Sequence, residues 1–116
     1  MGQQHSFRIV LSEAGSDPAD QLELFSLLNL GLTQSLASGV LSPSDALQCF
    51  YHAENCLYVQ KHLRNKDANA IMSHGVQLPD LFESLEAEEA QREFLCELEK
   101  IRGMCLRLLE TEARMS

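Results

Sequence analysis

Residues Leu30 to Ala46, LGLTQSLASGVLSPSDA, leave this chain little freedom in how it folds. They hold a helix end, a hinge and a helix start with no spare residue. Leu28, Leu32 and Leu36 recur every four residues, which marks one helical face. Gly39 follows, and without a Cβ it suits the left-handed position that closes a helix. Ser42 then offers a side-chain oxygen to the orphan amides of the next helix. Pro43 fits its first position, and Asp45 lies in its first turn. Two helices therefore meet through a connector of about three or four residues, which forces them to pack as neighbours.

The sequence has 116 residues, 45% of them hydrophobic, which is enough to build one domain with a real core. No apolar run reaches the roughly 18 residues that span a bilayer. The first residues, MGQQHSFRIVLSE, lack the long apolar region of a signal peptide, so the expected location is the cytoplasm. There the four cysteines, Cys49, Cys56, Cys96 and Cys105, are expected to be reduced and buried. The net charge is −8, and between Asp80 and Glu99 Arg92 is the sole base among acids. That balance argues against nucleic acid, whose phosphates call for clustered Lys and Arg, and against anionic membranes. A basic protein partner is compatible with it.

Phe7–Leu11, FRIVL, reads as a β-strand of aromatic and β-branched residues with no partner strand in the chain. One way to satisfy it is pairing with a second copy, giving a homodimer; another is packing as an extended segment against the last helix. The first helix starts at Ser16-Asp17-Pro18. Its stripe is Leu22, Phe25, Leu28, Leu32 and Leu36, widened by Leu24, Leu27 and Leu30. So broad an apolar surface predicts a central helix covered on several sides, with Gly31 admitting another backbone. A second helix over Pro43–Tyr51 and a third over Ala53–Leu63 follow, with continuity between them left open. Ala68–His74 forms a short helix ended by Gly75, and Pro79-Asp80 starts another turn. The last helix, Ala87–Glu110, carries the buried stripe Phe94, Leu98, Ile101, Cys105 and Leu108. The expected fold is mainly α: one domain of four to six helices over 16–110, preceded by an arm with a short strand over 1–15.

Chemistry is sparse. Cys49, His52 and Cys56 would share one helical face if the helix is continuous, and all three are zinc-ligand types, but no fourth ligand is placed by spacing. Asn55 and the neighbouring aromatics point instead to a helix break, with the cysteines in the core. No cysteine lies in a Gly-rich loop, and there is no phosphate loop or nucleophile elbow. No enzyme, cofactor or resident metal is therefore expected. More apolar residues occur around Phe50, Tyr51, Leu57, Tyr58, Val59, Leu81 and Phe82 than short helices can hide. The expected partner surface consists of Tyr51, Tyr58 and Phe82, rimmed by Glu88, Glu89 and Glu93.

Leu30-Gly31, Leu36, Gly39, Leu41-Ser42 and Asp45-Ala46 resemble the central motif of a family of short, mostly uncharacterised bacterial proteins. That motif reads Leu-Gly, an Ala-Leu pair, Gly-Leu-Ile-Ser and Glu-Ala. Here Ser35, Val40 and Asp45 stand for its Ala, Leu and Glu. Gly75, Leu78 and Asp80-Leu81 are similar to the family's Gly-x-x-Leu-x-Asp-Ile segment. The resemblance covers about residues 25 to 85 and implies a small helical binding protein. Some members look like immunity proteins or antitoxins, which implies a toxin as partner. The leading expectation is a non-enzymatic, acidic protein-binding module that neutralises a basic toxin. The alternatives are a metal- or thiol-dependent site at Cys49, His52 and Cys56, and a homodimeric structural or regulatory protein.

Overall fold

Asp17 turns the chain into its first helix: its carboxylate accepts the Asp20 amide at 3.1 Å, and Pro18 takes the first helical position. The computed structural model describes residues 8–13 and 17–115 and is mainly helical. Five α-helices follow one another among those residues: α1 (Pro18–Ala37), α2 (Pro43–Cys49), α3 (Ala53–Tyr58), α4 (Lys66–Ser84) and α5 (Ala87–Met115). α5 packs along both α1 and α4, and α2 lies against α4.

The hinge after α1 forms as its residues dictate. Gly39 sits at φ +81°, its amide bonded to the Leu36 carbonyl, while the Val40 amide reaches back to Ser35 at 3.0 Å. Together these two bonds satisfy carbonyls that the helix end would leave unpaired. Ser42 then caps α2 by accepting the Asp45 amide at 3.1 Å.

α1 differs from the expectation of a helix covered on several sides. Its inward face is Leu22, Phe25, Ser26, Asn29, Leu32, Thr33 and Leu36, so three small polar residues share the core with leucines. Leu24 and Leu27 point outward. Gly31 is exposed, and a Cβ there would meet nothing within 4 Å, so no other element of the same molecule approaches it. The close approach occurs at Gly75 instead, whose missing Cβ makes room for the Tyr51 ring.

α2 and α3 are separate helices. α2 stops at Cys49, and His52 caps α3 with its Nδ1, which accepts the Asn55 amide at 3.3 Å. Its Nε2 lies 3.3 Å from the Ile9 carbonyl and 3.4 Å from Arg8 Nε, so the ring also contacts the N-terminal arm. α3 passes into a π-helical turn, Val59–Leu63, closed by Arg64 in the left-handed region at φ 48°. That wider turn buries Val59 and Leu63 together.

Nor does Gly75 end a helix. α4 runs from its Asn65 cap through both Gly75 and Pro79. Pro79 withholds an amide from the Gly75 carbonyl, but Ala68, Ile71, Met72, Gly75 and Leu78 anchor the helix on the core. Packing outweighs the local breakers. α5 extends past Glu110 to Met115, and its expected stripe of Phe94, Leu98, Ile101, Cys105 and Leu108 is buried throughout.

There is no strand among the described residues, and Phe7 lies outside them. Residues 8–10 belong to neither helix nor sheet, and Leu11–Glu13 form a 3₁₀ turn. Several of the backbone groups that a strand would use are bonded within the chain. The Ile9 amide donates to the Cys49 carbonyl at 2.9 Å, and the Leu11 amide donates to Asn55 Oδ1 at 3.0 Å. The arm therefore docks on the α2–α3 junction of its own chain, not on the last helix.

Candidate interaction surface

The residues expected to form one surface are divided by the fold. Tyr51 is 1% exposed and has no surface to offer a partner. Its ring fills the space over Gly75, and its hydroxyl donates to Asn29 Oδ1 at 2.6 Å. Asn29 Nδ2 in turn donates to the Phe25 carbonyl at 2.9 Å, so both polar atoms of the buried amide have a partner. Desolvation raises the Tyr51 phenol well above its ordinary range and keeps it a neutral donor. Tyr58 is half-buried. Its hydroxyl donates to Gln21 of α1 at 2.7 Å, and its ring stacks on His62 with centroids 4.6 Å apart.

Phe82 lies near the end of α4, and Glu88, Glu89 and Glu93 lie at the start of α5. They flank the two-residue corner, Leu85-Glu86, that joins α4 to α5. Phe82 is 42% exposed and meets the buried Phe94 edge-on at 5.2 Å. The three glutamates are exposed on the first two turns of α5, with Asp80, Glu83 and Glu86 close by in sequence and equally open. Glu88 and Glu89 also favour the positive end of the α5 dipole, which gives them a structural use without any partner.

Cys49, His52 and Cys56 do not form a ligand set, because the helix that would align them is broken at Phe50–His52. Each is engaged locally: Cys49 donates weakly to Ala46, Cys56 to Tyr51, and His52 caps α3. Among the described residues no group of three His, Cys, Asp or Glu side chains is placed to hold a metal ion.

The cysteines also differ from one another. Cys49 and Cys105 are buried, Cys56 is half-buried and Cys96 is exposed, so the expectation that all four are buried fails at Cys96. Desolvation pushes the Cys49 and Cys56 thiols up, and Cys105 from 9.0 to about 12. One thiol, Cys96, should react rapidly with a thiol reagent in the native protein, and all four after unfolding. Four fast thiols in the native state would contradict this burial. The sign of the pH effect follows. Above pH 9 the unfolded chain loses its Cys105 proton while the folded chain keeps it up to about 12. Stability should therefore fall as pH rises through that window, and a denaturant midpoint unchanged from pH 8 to about pH 11 would contradict it.

One surface was missed by the sequence reading. Beside α1 lies an open apolar groove of about 350 Å³, lined by Ile9, Leu27, Leu28, Gly31, Leu32, Ser35, Val40 and Leu41. Leu27 is 53% and Val40 79% exposed, and Leu24, one turn before Leu27, is 41% exposed. A signal for it exists in the sequence: no residue between Glu23 and Asp45 is charged.

The family described as a protein of unknown function, DUF3969, matches residues 17–116. The chain belongs to that family. The match spans all five helices and leaves out the arm that docks on the α2–α3 junction. No curated protein and no solved structure matches the chain. No helix among the described residues is long and apolar enough to cross a membrane.

Proposed function

We propose that this member of the DUF3969 family is a non-enzymatic binding module that receives a basic protein at the α4–α5 corner. The observation that carries the reading is Phe82, an exposed ring set edge-on against Phe94 beside the start of α5, where Glu88, Glu89 and Glu93 are exposed. An aromatic anchor within a charged rim is how protein interfaces commonly combine affinity with orientation. The rim draws a partner of opposite charge and speeds encounter. The finer reading, in line with the resemblance noted above, is an immunity protein in the cytoplasm that neutralises a bacterial toxin. Toxins that act on nucleic acid are often basic, which suits this rim.

The test is comparative capture from the source cells. Full-length protein is set against a Glu88→Lys, Glu89→Lys, Glu93→Lys variant and against Phe82→Ala. The expected result is a basic protein held by the wild type and lost by both variants. Its retention should weaken as salt rises from about 0.1 M, where charges are screened over about 10 Å, to about 1 M, where the range is about 3 Å. For the immunity reading, that protein should be toxic when expressed alone and harmless when co-expressed with this chain. Identical captured sets for wild type and variants would overturn the corner as the binding site.

A further inference from the structure

We infer that the outer face of α1 is a self-association surface, on which a second copy of this chain lays its own α1 antiparallel across a two-fold axis near Gly31. The helix face that meets water normally carries the charges. On α1 it carries none beyond Glu23, in a chain with 22% charged residues, and it presents Leu24 and Leu27 instead. The face continues into the apolar groove, which ends at the exposed Val40.

The absence of charge favours a second copy over a basic partner. A two-fold axis sets each patch against itself, so any acid on the patch would lie near its own copy. Two chains of net charge −8 repel wherever acids meet, but from Leu24 to Ser44 there are none to meet. A basic partner, favoured at the α4–α5 corner, gains nothing on this neutral face.

The order of side-chain sizes along α1 fits the same arrangement. In an antiparallel crossing centred on Gly31, a residue before it meets the residue equally far after it on the partner. Leu27 would lie over the partner's Ser35, and Leu24 near the partner's Ser38. Leu27 and Leu24 would thus face smaller side chains of the partner, while the exposed Gln34 would face the partner's half-buried Leu28. At the centre, the space beside Gly31 is open: a Cβ there would meet nothing within 4 Å. Two helices could approach there to the short end of the usual interaxial range, about 8 Å.

Sedimentation velocity of the full-length protein from about 1 to about 100 µM tests the inference. The expected result is a monomer–dimer equilibrium that persists at high salt, unlike partner binding at the acidic corner. Leu27→Glu should weaken it about 100-fold or more, because two unpaired carboxylates would be buried at the contact. Circular dichroism of that variant should be unchanged, since Leu27 is exposed in the single chain. In a Cys96→Ser background, Gly31→Cys should cross-link to itself rapidly under mild oxidation. Gly103→Cys, on an equally open site of α5, should not. A monomer throughout the concentration range, a dimer indifferent to Leu27→Glu, or equal cross-linking at both positions would each overturn the inference. None of these outcomes bears on the Phe82 corner, whose test uses other residues and the opposite salt response.

Discussion

Gly75→Ala should destabilise the protein by about 1–3 kcal/mol, although alanine is the better helix former. In an exposed helix the exchange would gain about 1 kcal/mol. Here the added Cβ falls inside the van der Waals contact of the Tyr51 ring. The ring cannot swing away, because it is 1% exposed, touches Phe50 edge-on at 5.2 Å and is tied through its hydroxyl to Asn29. Overpacking of that kind costs about 1–3 kcal/mol and occasionally more, enough to outweigh the propensity gain. A loss of 2 kcal/mol would lower the Tm by roughly 8–12 °C in a domain of this size. The double variant with Tyr51→Leu separates the collision from any other effect. If the ring is the obstacle, Gly75→Ala should cost markedly less in the Tyr51→Leu background, a coupling readable from a double-mutant cycle. An unchanged Tm for Gly75→Ala alone would show that the ring yields freely.

Asn55→Ala should have the larger effect, about 3–5 kcal/mol, a sizeable part of the 5–15 kcal/mol that typically holds a domain together. The side chain is fully buried and serves three backbone groups. Its Oδ1 accepts the Leu11 amide at 3.0 Å. Its Nδ2 donates to the Ile9 carbonyl at 2.8 Å and to the Phe50 carbonyl at 2.9 Å. Each buried group left unpaired costs about 1–3 kcal/mol, reduced where water can reach it, as it can at the half-buried Ile9. The urea midpoint should fall by about 2–3 M for slopes typical of small domains. The arm should come loose as well, seen as faster hydrogen exchange at the Leu11 amide. Asn55→Asp keeps the acceptor for Leu11 but sets a carboxylate against two carbonyls. It should be as harmful at neutral pH and less so in acid, where the protonated group can donate once. A midpoint within about 0.5 M of wild type for Asn55→Ala would mean that water replaces the side chain at little cost.

The two predictions show where sequence reading succeeded and where it stopped. Asn55 and the neighbouring aromatics point to a break between α2 and α3, and the break falls at Phe50–His52, with Asn55 inside α3. That Asn55 holds the arm was not legible, since Leu11 and Asn55 are 44 positions apart and an Asn carries no mark of which backbone groups it serves. The glycines were misread for the same reason. Gly31 and Gly75 both interrupt helical stretches, and local propensity treats them alike. Only the position of the Tyr51 ring decides which of them is a close contact.

What the residues determined alone are the features with local causes. The Gly39 hinge follows from the lack of a Cβ, the caps at Asp17 and Ser42 from short side-chain oxygens beside orphan amides, and the α5 stripe from its spacing. What the tertiary structure decided is every choice between local options of similar energy. FRIVL has the composition of a strand, yet residues 8–11 join no sheet here, and the Ile9 and Leu11 amides find acceptors on the α2–α3 junction. α4 runs through Gly75 and Pro79 because its buried face repays the lost bond. Tyr51 goes inward because Gly75 leaves it room and Asn29 receives its hydroxyl. α1 turns Ser26, Asn29 and Thr33 inward and Leu24 and Leu27 outward. The leucines between 22 and 36 are numerous enough to mark several faces at once, so their pattern is degenerate. Docking against α5 breaks that degeneracy and leaves the uncharged face outside.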